Sequence, residues 1–438
     1  MIVVRFQVHS LVHVRSEAEG SFGDWAMRVL MVHDYYDSSS PSGEGRSFEE
    51  ETELLRSFGH DVETYVVHND EIGQYSPLQK VRLGFDTIWS TRSYTALQEI
   101  VRRTRREVVH FQNTLPLISP SSYWAVRAAG AAAVQTLRNF RLVCPSANLF
   151  YNGSQCERCV GRFPWPGLKR NCYRGSKIQT AAIVAMNSFH HCIGTWSNQV
   201  DRYIVAAEYT REKLRPSGIP QDRVRLKANY VPDPKIQASG QEYALFIGRL
   251  TEEKGVTTLM EAWRGLDIPL RVIGSGVLEA EVTSWAADHP AVRYEGQQSP
   301  AEIQEALSRA AFVVMPSTWN ETFGRVIVEA NASGIPAITT RSGAQQELVI
   351  EGETGWLCNP GDAQDLRRIL LLAWTNREST ALMGHQSRAH YLKYFGAKEN
   401  CALLLRIYEE AIARHRAETL SETPDEAREF ATSPHHPL

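Results

Sequence analysis

The sequence predicts an α/β protein of two doubly wound domains, each a parallel sheet covered on both faces by helices. Three observations carry that prediction. The chain has 438 residues, long enough for two ordinary cores. Short runs that are apolar throughout alternate with amphipathic stretches, the pattern of strands buried on both faces and separated by helices. The alternation breaks once, at a Pro-containing stretch, and then restarts.

Taken in order, residues 1–26 show no clean period, and the apolar run Val29–Val32 begins abruptly after Met27. The expectation is an N-terminal extension, with Met27 a candidate start. A first domain over 27–235 has strand-like runs at Arg28–His33, Val62–Val67, Val108–Phe111, Arg141–Val143 and Ile204–Ala207. Its helical stretches are Ser47–Phe58, one near Tyr94–Thr104, one from Ser121 and one near Glu208–Arg215. Asn229–Gln241, with Pro232 and Pro234, reads as a linker. A second domain over 236–396 repeats the pattern, with strands at Tyr243–Ile247, Leu270–Ile273, Val292–Tyr294, Phe312–Met315 and Ala337–Thr340. Helices are expected from Val256, Val277 and Ala301 and within Phe323–Ala332. A last helix at Ala397–Arg416 follows, and residues 417–438, rich in Glu, Pro, Ser and His, are expected to be disordered.

Composition narrows the function. With 43% hydrophobic and 22% charged residues, chain-wide disorder is excluded. No apolar run approaches the ~20 residues that span a bilayer, and no signal peptide is visible, so a soluble cytoplasmic protein is expected. Seven cysteines, an odd number, argue against a disulfide framework. Charge is uneven: residues 28–235 carry 27 Lys and Arg against 20 Asp and Glu, and residues 236–438 carry 18 against 27. The basic half suits an anionic membrane surface or an acidic acceptor, although a solvated basic face would read the same. The run Arg102, Arg103, Arg105 and Arg106 is its densest part, and nothing suggests a nucleic-acid partner.

Ligands of doubly wound sheets sit beyond the carboxyl ends of the strands, so residues just after strands are the candidates. Asn320-Glu-Thr-Phe-Gly-Arg-Val-Ile-Val-Glu329 follows the strand Phe312–Met315. Gly324 opens a helix whose free N–H groups favour a phosphate, and Glu321 and Glu329 can each accept hydrogen bonds from sugar hydroxyls. Gly248-Arg-Leu-Thr-Glu-Glu-Lys-Gly255 follows the domain's first strand and places two cations, Arg249 and Lys254, on one turn, suited to a departing diphosphate. Gly274-Ser-Gly276 would let backbone approach a ligand closely. With Glu279 where a third glycine is needed it fails as a dinucleotide fingerprint, which weakens a dehydrogenase reading.

These residues resemble the family-four retaining glycosyltransferases of GT-B architecture, two Rossmann-like domains facing each other across a cleft. The resemblance covers about Arg28 to Arg416. It is densest where Glu-x7-Glu, the Gly-Arg…Lys-Gly turn and Thr354-Gly-Trp-Leu…Pro360-Gly-Asp362 fall in family order. It implies that Arg249 and Lys254 hold the donor diphosphate, Glu329 the ribose, and Glu321 the transferred sugar, while Gly43, Gly45, Gly248, Gly274, Gly276, Phe323 and Gly324 border the donor. Backbone amides of Gly343 and Ala344 would meet the donor sugar or phosphate. In the first domain, Pro41-Ser-Gly43-Glu-Gly45 is similar to the family's glycine-rich loop, with Ser42 where a glycine is frequent. His110 is similar to its reaction-centre histidine; a packed strand-end histidine is the plain alternative. Val205-Ala-Ala-Glu208 lacks the Ser usual before that helix.

The implied activity is transfer of a hexose from a nucleoside diphosphate sugar to an acceptor hydroxyl with retention, the acceptor a saccharide or lipid-linked. No Asp-x-Asp motif is present for a divalent ion, so cations and a helix end are expected to serve, with no catalytic cofactor. The expected setting is bacterial cell-surface polysaccharide or glycolipid synthesis, at the inner face of the cell membrane. A sugar-nucleotide epimerase of the same architecture and a non-catalytic sugar-nucleotide-binding subunit are the rivals. Within residues 144–177, Cys144, Cys156, Cys159 and Cys172 suit a structural Zn²⁺, reduced thiols in a packed loop, or a redox pair.

Overall fold

The computed structural model describes residues 26–36, 43–234 and 238–422. The strands are β1 (Arg28–Tyr35), β2 (Asp61–His68), β3 (Val108–Asn113), β4 (Ala132–Thr136), a small pair β5 (Phe150–Tyr151) and β6 (Ser154–Gln155), β7 (Arg202–Val205) and β8 (Val224–Leu226). The second half adds β9 (Tyr243–Ile247), β10 (Leu270–Ile273), β11 (Val292–Tyr294), β12 (Ala310–Met315), β13 (Ala337–Thr340) and β14 (Gly355–Cys358). The first six-stranded sheet runs β2-β1-β3-β4-β7-β8 and the second β11-β10-β9-β12-β13-β14. Every pairing within both sheets is parallel. Two Rossmann-like sheets therefore stand where the alternation predicts them.

The expected strand at Arg141–Val143 is corrected: those residues form a turn, and the fourth strand is Ala132–Thr136. Its alanines give little hydrophobic signal, yet all five residues are buried between helices. The helix Pro77–Ile88, which the reading passed over, is fixed at its start by Ser76 and Gln79 exchanging hydrogen bonds in a capping box. The helices Lys177–Cys192, Ala363–Thr375 and Arg377–Tyr394 and the edge strands β8 and β14 were also not anticipated.

The final helix extends over Ala397–Glu422, longer than expected. It returns to the first sheet, where Cys401, Leu404, Ile407, Tyr408 and Ala411 pack on Met27, Val29, Met31, Val108 and Val134. Residues 1–25 and 423–438 lie outside the described residues, as do Pro41 and Ser42. Among the described residues no helix is long and apolar enough to cross a membrane.

Candidate functional site

In the second sheet the strand order reverses between β9 and β12, so the crevice beyond their carboxyl ends is the natural ligand position. The turn after β9 carries Lys254 and the loop after β12 carries Glu321. Lys254 Nζ donates to Glu321 Oε1 at 2.5 Å, and Ser317 Oγ donates to the same oxygen at 3.1 Å. The Lys254 ammonium also stands 5.2 Å from the centre of the Trp319 ring. Burial pushes the Glu321 carboxyl up, but Lys254 more than offsets this, and the group titrates below its ordinary range. Arg249, on the same turn, is exposed, with Glu253 at 3.4 Å.

The glycines around this pair serve the backbone. At Gly274, φ is +141°, and a Cβ would come within 1.9 Å of the Gly248 carbonyl oxygen. A Cβ at Gly276 would meet the Leu250 carbonyl at 2.4 Å. The close approach expected toward a ligand is thus an approach between the turns after β9 and β10. Gly343 (φ +57°) similarly lets the loop after β13 reach Glu321, with 2.6 Å between its would-be Cβ and the Glu321 nitrogen. The Ala344 amide is engaged as well, donating to the Glu321 carbonyl at 2.8 Å.

Gly324 (φ +118°) starts the helix Arg325–Ala332, and Phe323 is buried against Ile327 and Leu348. Glu329 lies on the helix's buried side. Its Oε1 accepts from Arg325 Nε at 2.8 Å and lies 3.5 Å from Arg46 of the first domain. Arg325 also reaches Glu50 at 2.6 Å, and Arg46 donates to Glu50 at 3.2 Å. Four charges from two helices thus bridge the two domains. Further bridges are Thr322 Oγ1 to the Arg138 carbonyl at 2.8 Å, and Glu347, which accepts from the Glu208 and Tyr209 amides at 2.9 and 2.7 Å. Glu347 in this way caps the helix Glu208–Leu214 that lacks a serine cap of its own.

In the first domain two expectations are corrected. Gly43 and Gly45 lie in the first turns of the helix Gly43–Ser57 rather than in a loop, and Gly45 is buried. His110 is fully enclosed: Nδ1 bonds Tyr408 Oη and Nε2 bonds Thr136 Oγ1, each at 2.7 Å. Burial brings its pKa down to about 3, so it is a neutral packed ring, out of reach of a substrate. The physical reason is the returning final helix, which covers that face of the sheet.

Instead, the first domain gathers other charged residues beside the second, which meets them where Thr322 donates to the Arg138 carbonyl. Glu51 is buried and takes hydrogen bonds from Lys227 and Gln112. Burial would raise its carboxyl, but the charges of Lys227 and Arg138 bring it down to about 2. Arg138 donates to Gln112 at 2.8 Å and to Asn229 at 2.7 Å. Gln112, Asn113, Arg138 and Asn139 border a cavity that also exposes Asn187 and Trp196. The sequence reading missed Arg46, Glu50, Glu51, Arg138, Lys227 and Arg325. Arg138 and Lys227 do follow strands, and would have been candidates had β4 and β8 been placed.

Cys144, Cys156, Cys159 and Cys172 come together around one small cavity, with all four thiols free. Arg170 donates to Cys156 Sγ at 3.6 Å. Among the described residues, no three or more His, Cys, Asp or Glu stand close enough to hold a metal ion.

Residues 232–390 match the family description Glycosyl transferases group 1. The uncharacterized glycosyltransferase MJ1178 of Methanocaldococcus jannaschii is 30% identical over 214 residues, 48% of this chain and 60% of that protein. The sulfoquinovosyl transferase SQD2 of Arabidopsis thaliana is 30% identical over 34% of this chain and 30% of its own length. The D-rhamnosyltransferase WbpZ of Pseudomonas aeruginosa is 28% identical, over 54% of this chain and 68% of the relative. The match thus spans less than two thirds of the first two relatives. Among solved structures, sucrose-phosphate synthase from Thermosynechococcus elongatus superposes with a TM-score of 0.65 at 18% identity, over 88% of this chain and 99% of that one. Anabaena Alr3699/HepE in complex with UDP does so with a TM-score of 0.59 at 17% identity, over 91% and 100%. Residues 232–390 thus resemble the glycosyl transferases group 1 family, in a chain that carries the two-domain GT-B fold.

Proposed function

We propose that the protein is a family-four retaining glycosyltransferase that moves a hexose from a nucleoside diphosphate sugar to an acceptor hydroxyl, in the cytoplasm, in the synthesis of a bacterial cell-surface polysaccharide or glycolipid. The observation that carries this reading is the Lys254–Glu321 pair at the switch point of the second sheet. A carboxylate there accepts hydrogen bonds from sugar hydroxyls, and the cation faces the charge that grows on a departing diphosphate. Arg249 stands on the same turn, and the N-terminal end of the helix Arg325–Ala332 adds positive potential. The HepE complexes with UDP and with UDP-glucose, which share the fold, support a sugar nucleotide as the donor.

In this reading the bond between the anomeric carbon and the phosphate oxygen breaks, and its electron pair stays with the diphosphate, where Arg249 and Lys254 stabilise it. The acceptor oxygen bonds to the anomeric carbon on the same face. With His110 enclosed, the acceptor's proton passes to the departing phosphate oxygen, the base that the reaction itself creates. Glu329, oriented by Arg325, takes the ribose hydroxyls. The acceptor occupies the first-domain cavity bordered by Gln112, Asn113 and Arg138.

The test is a panel of UDP-, GDP- and ADP-sugars screened by thermal shift, followed by NMR of the product's anomeric proton. One donor class should stabilise the protein and its sugar should reach an acceptor with the α or β configuration it had. Conversion of donor without acceptor would indicate an epimerase, and binding without turnover a binding subunit; inversion would refute retention.

A further inference from the structure

A cavity of about 380 Å³ lies at the amino ends of β1, β3 and β4, where Arg28, Glu107 and Ala132 stand. Ligands of parallel sheets sit at the opposite, carboxyl ends, so this cavity is separate from the cleft. Its other walls are the end of the helix Thr91–Thr104, with Arg102, Arg105 and Arg106, and the final helix, with Arg416. Two of these cations are already matched. Arg28 stands 3.7 Å from Glu107, and Arg106 stands 3.0 Å from both Asp61 and Glu63. Arg102, Arg105 and Arg416 are exposed and have no acidic partner among the described residues. His415, buried beside them, is held below its ordinary range by burial and adds no charge at neutral pH. The carbonyl ends of two helices, Thr91–Thr104 and Ser121–Ala128, also lie here, the second followed by Ala129 and Gly130 in the cavity wall. Each contributes about half a negative charge, which offsets about one of the three free cations and leaves an excess of about two.

We infer that this cavity binds a soluble phosphate monoester of the size of a sugar phosphate. Such an ester carries close to two negative charges at neutral pH, which cancels the excess. Guanidinium forks match phosphate oxygens in bidentate pairs, and three arginines without carboxylate partners are free to form them. The volume lies in the range of small-molecule pockets, and Val101 and Ile412 supply an apolar wall for the carbon skeleton. A ligand held between Arg102 and Arg105 on one helix and Arg416 on another would tie the final helix to the first domain, where like charges otherwise repel. That helix also carries Tyr408, which bonds His110. The site would therefore act on the attachment of the final helix from the pole opposite the cleft. A lipid headgroup offers the same phosphate chemistry, and the test separates the two sources.

The inference does not rest on the transferase reading, and its test needs no turnover. Isothermal titration calorimetry of the full chain with ribose 5-phosphate, at neutral pH and about 0.15 M salt, should show binding. Arg102→Ser/Arg105→Ser/Arg416→Ser should bind at least about tenfold more weakly. The corresponding triple lysine variant keeps the charge but loses the forks, and should lose about threefold. Arg249→Ser, on the cleft turn, should bind like wild type. Ribose 5-phosphate should also raise the melting temperature of the wild type and leave that of the triple serine variant level. If the triple serine variant loses cooperative unfolding, Arg416→Ser alone carries the comparison. Absence of binding by the wild type, binding that the serine variant retains, or binding that Arg249→Ser abolishes would overturn the inference. So would co-sedimentation of the wild type with phosphatidylglycerol vesicles, lost in the serine variant, in a protein that ignores ribose 5-phosphate; the three arginines would then belong to a lipid headgroup.

Discussion

Replacing Lys254 by alanine removes the one cation within ion-pair distance of Glu321 among the described residues and leaves a buried carboxylate with the neutral Ser317 and Trp319 beside it. Stranding one member of a fully buried pair costs about 3–5 kcal/mol, and the partial exposure of Lys254 and Glu321, 19% and 10% of their side chains, brings the expectation down to about 2–3 kcal/mol. Glu321→Gln should cost less, about 1 kcal/mol, since the Lys254 ammonium retains access to water. The double variant buries no charge. Its loss should therefore be smaller than the sum of the two single losses by at least about 1 kcal/mol. The pH dependence has a definite sign. In the wild type the Glu321 carboxyl titrates below its ordinary value, so its contribution is present above pH 4.5 and is lost as pH falls through the lowered value. Without Lys254, burial raises the carboxyl, and the penalty grows as pH rises through that raised value. The difference between wild type and Lys254→Ala should thus be larger at pH 8 than at pH 5. Urea denaturation of the four proteins at both pH values measures this. Additive single losses, or a difference independent of pH, would refute the reasoning.

Three further predictions rest on other parts of the molecule. Arg46→Ala/Arg325→Ala leaves Glu50 and Glu329 facing each other across the domain boundary, so the cleft should open and small-angle scattering should give a larger radius of gyration; an unchanged profile would show that the four-charge bridge does not hold the domains. Burial holds His33 and His110 at about 3 and His390 at about 4, so below pH 6.5 the unfolded chain binds more protons there than the native one and stability falls with acidification. Asp34, which burial raises to about 7, opposes this by one proton and leaves the histidines dominant; a melting temperature that stays level from pH 7 to pH 5 would contradict it. Finally, burial and three neighbouring thiols raise Cys159 to about 11, so iodoacetamide at pH 8 should modify exposed Cys192 first and Cys159 late, with no chelator needed. About one zinc per chain in the same preparation would overturn the free-thiol reading.

The sequence by itself determined the two parallel sheets, because strands buried on both faces must be apolar throughout and the helices between them must be amphipathic, and both patterns are local. It also pointed to Lys254 and Glu321, since a residue just after a strand is at the sheet's ligand-facing end whatever the rest of the chain does. Ala132–Thr136 was not legible because alanine contributes little apolar area per residue, although a site between two helices has room for little else. What only the tertiary structure decided is which face each element covers and which distant charges meet. His110 sits in a plausible strand position, but its role was set by Tyr408, 298 residues away on a helix that returns to the first sheet. Lys227 and Glu51 are 176 residues apart, and neither carries a local signature. A buried charge needs a partner in space, and a partner in space leaves no periodic mark in the chain. The residues that join the two domains could therefore be named only once both sheets were in place.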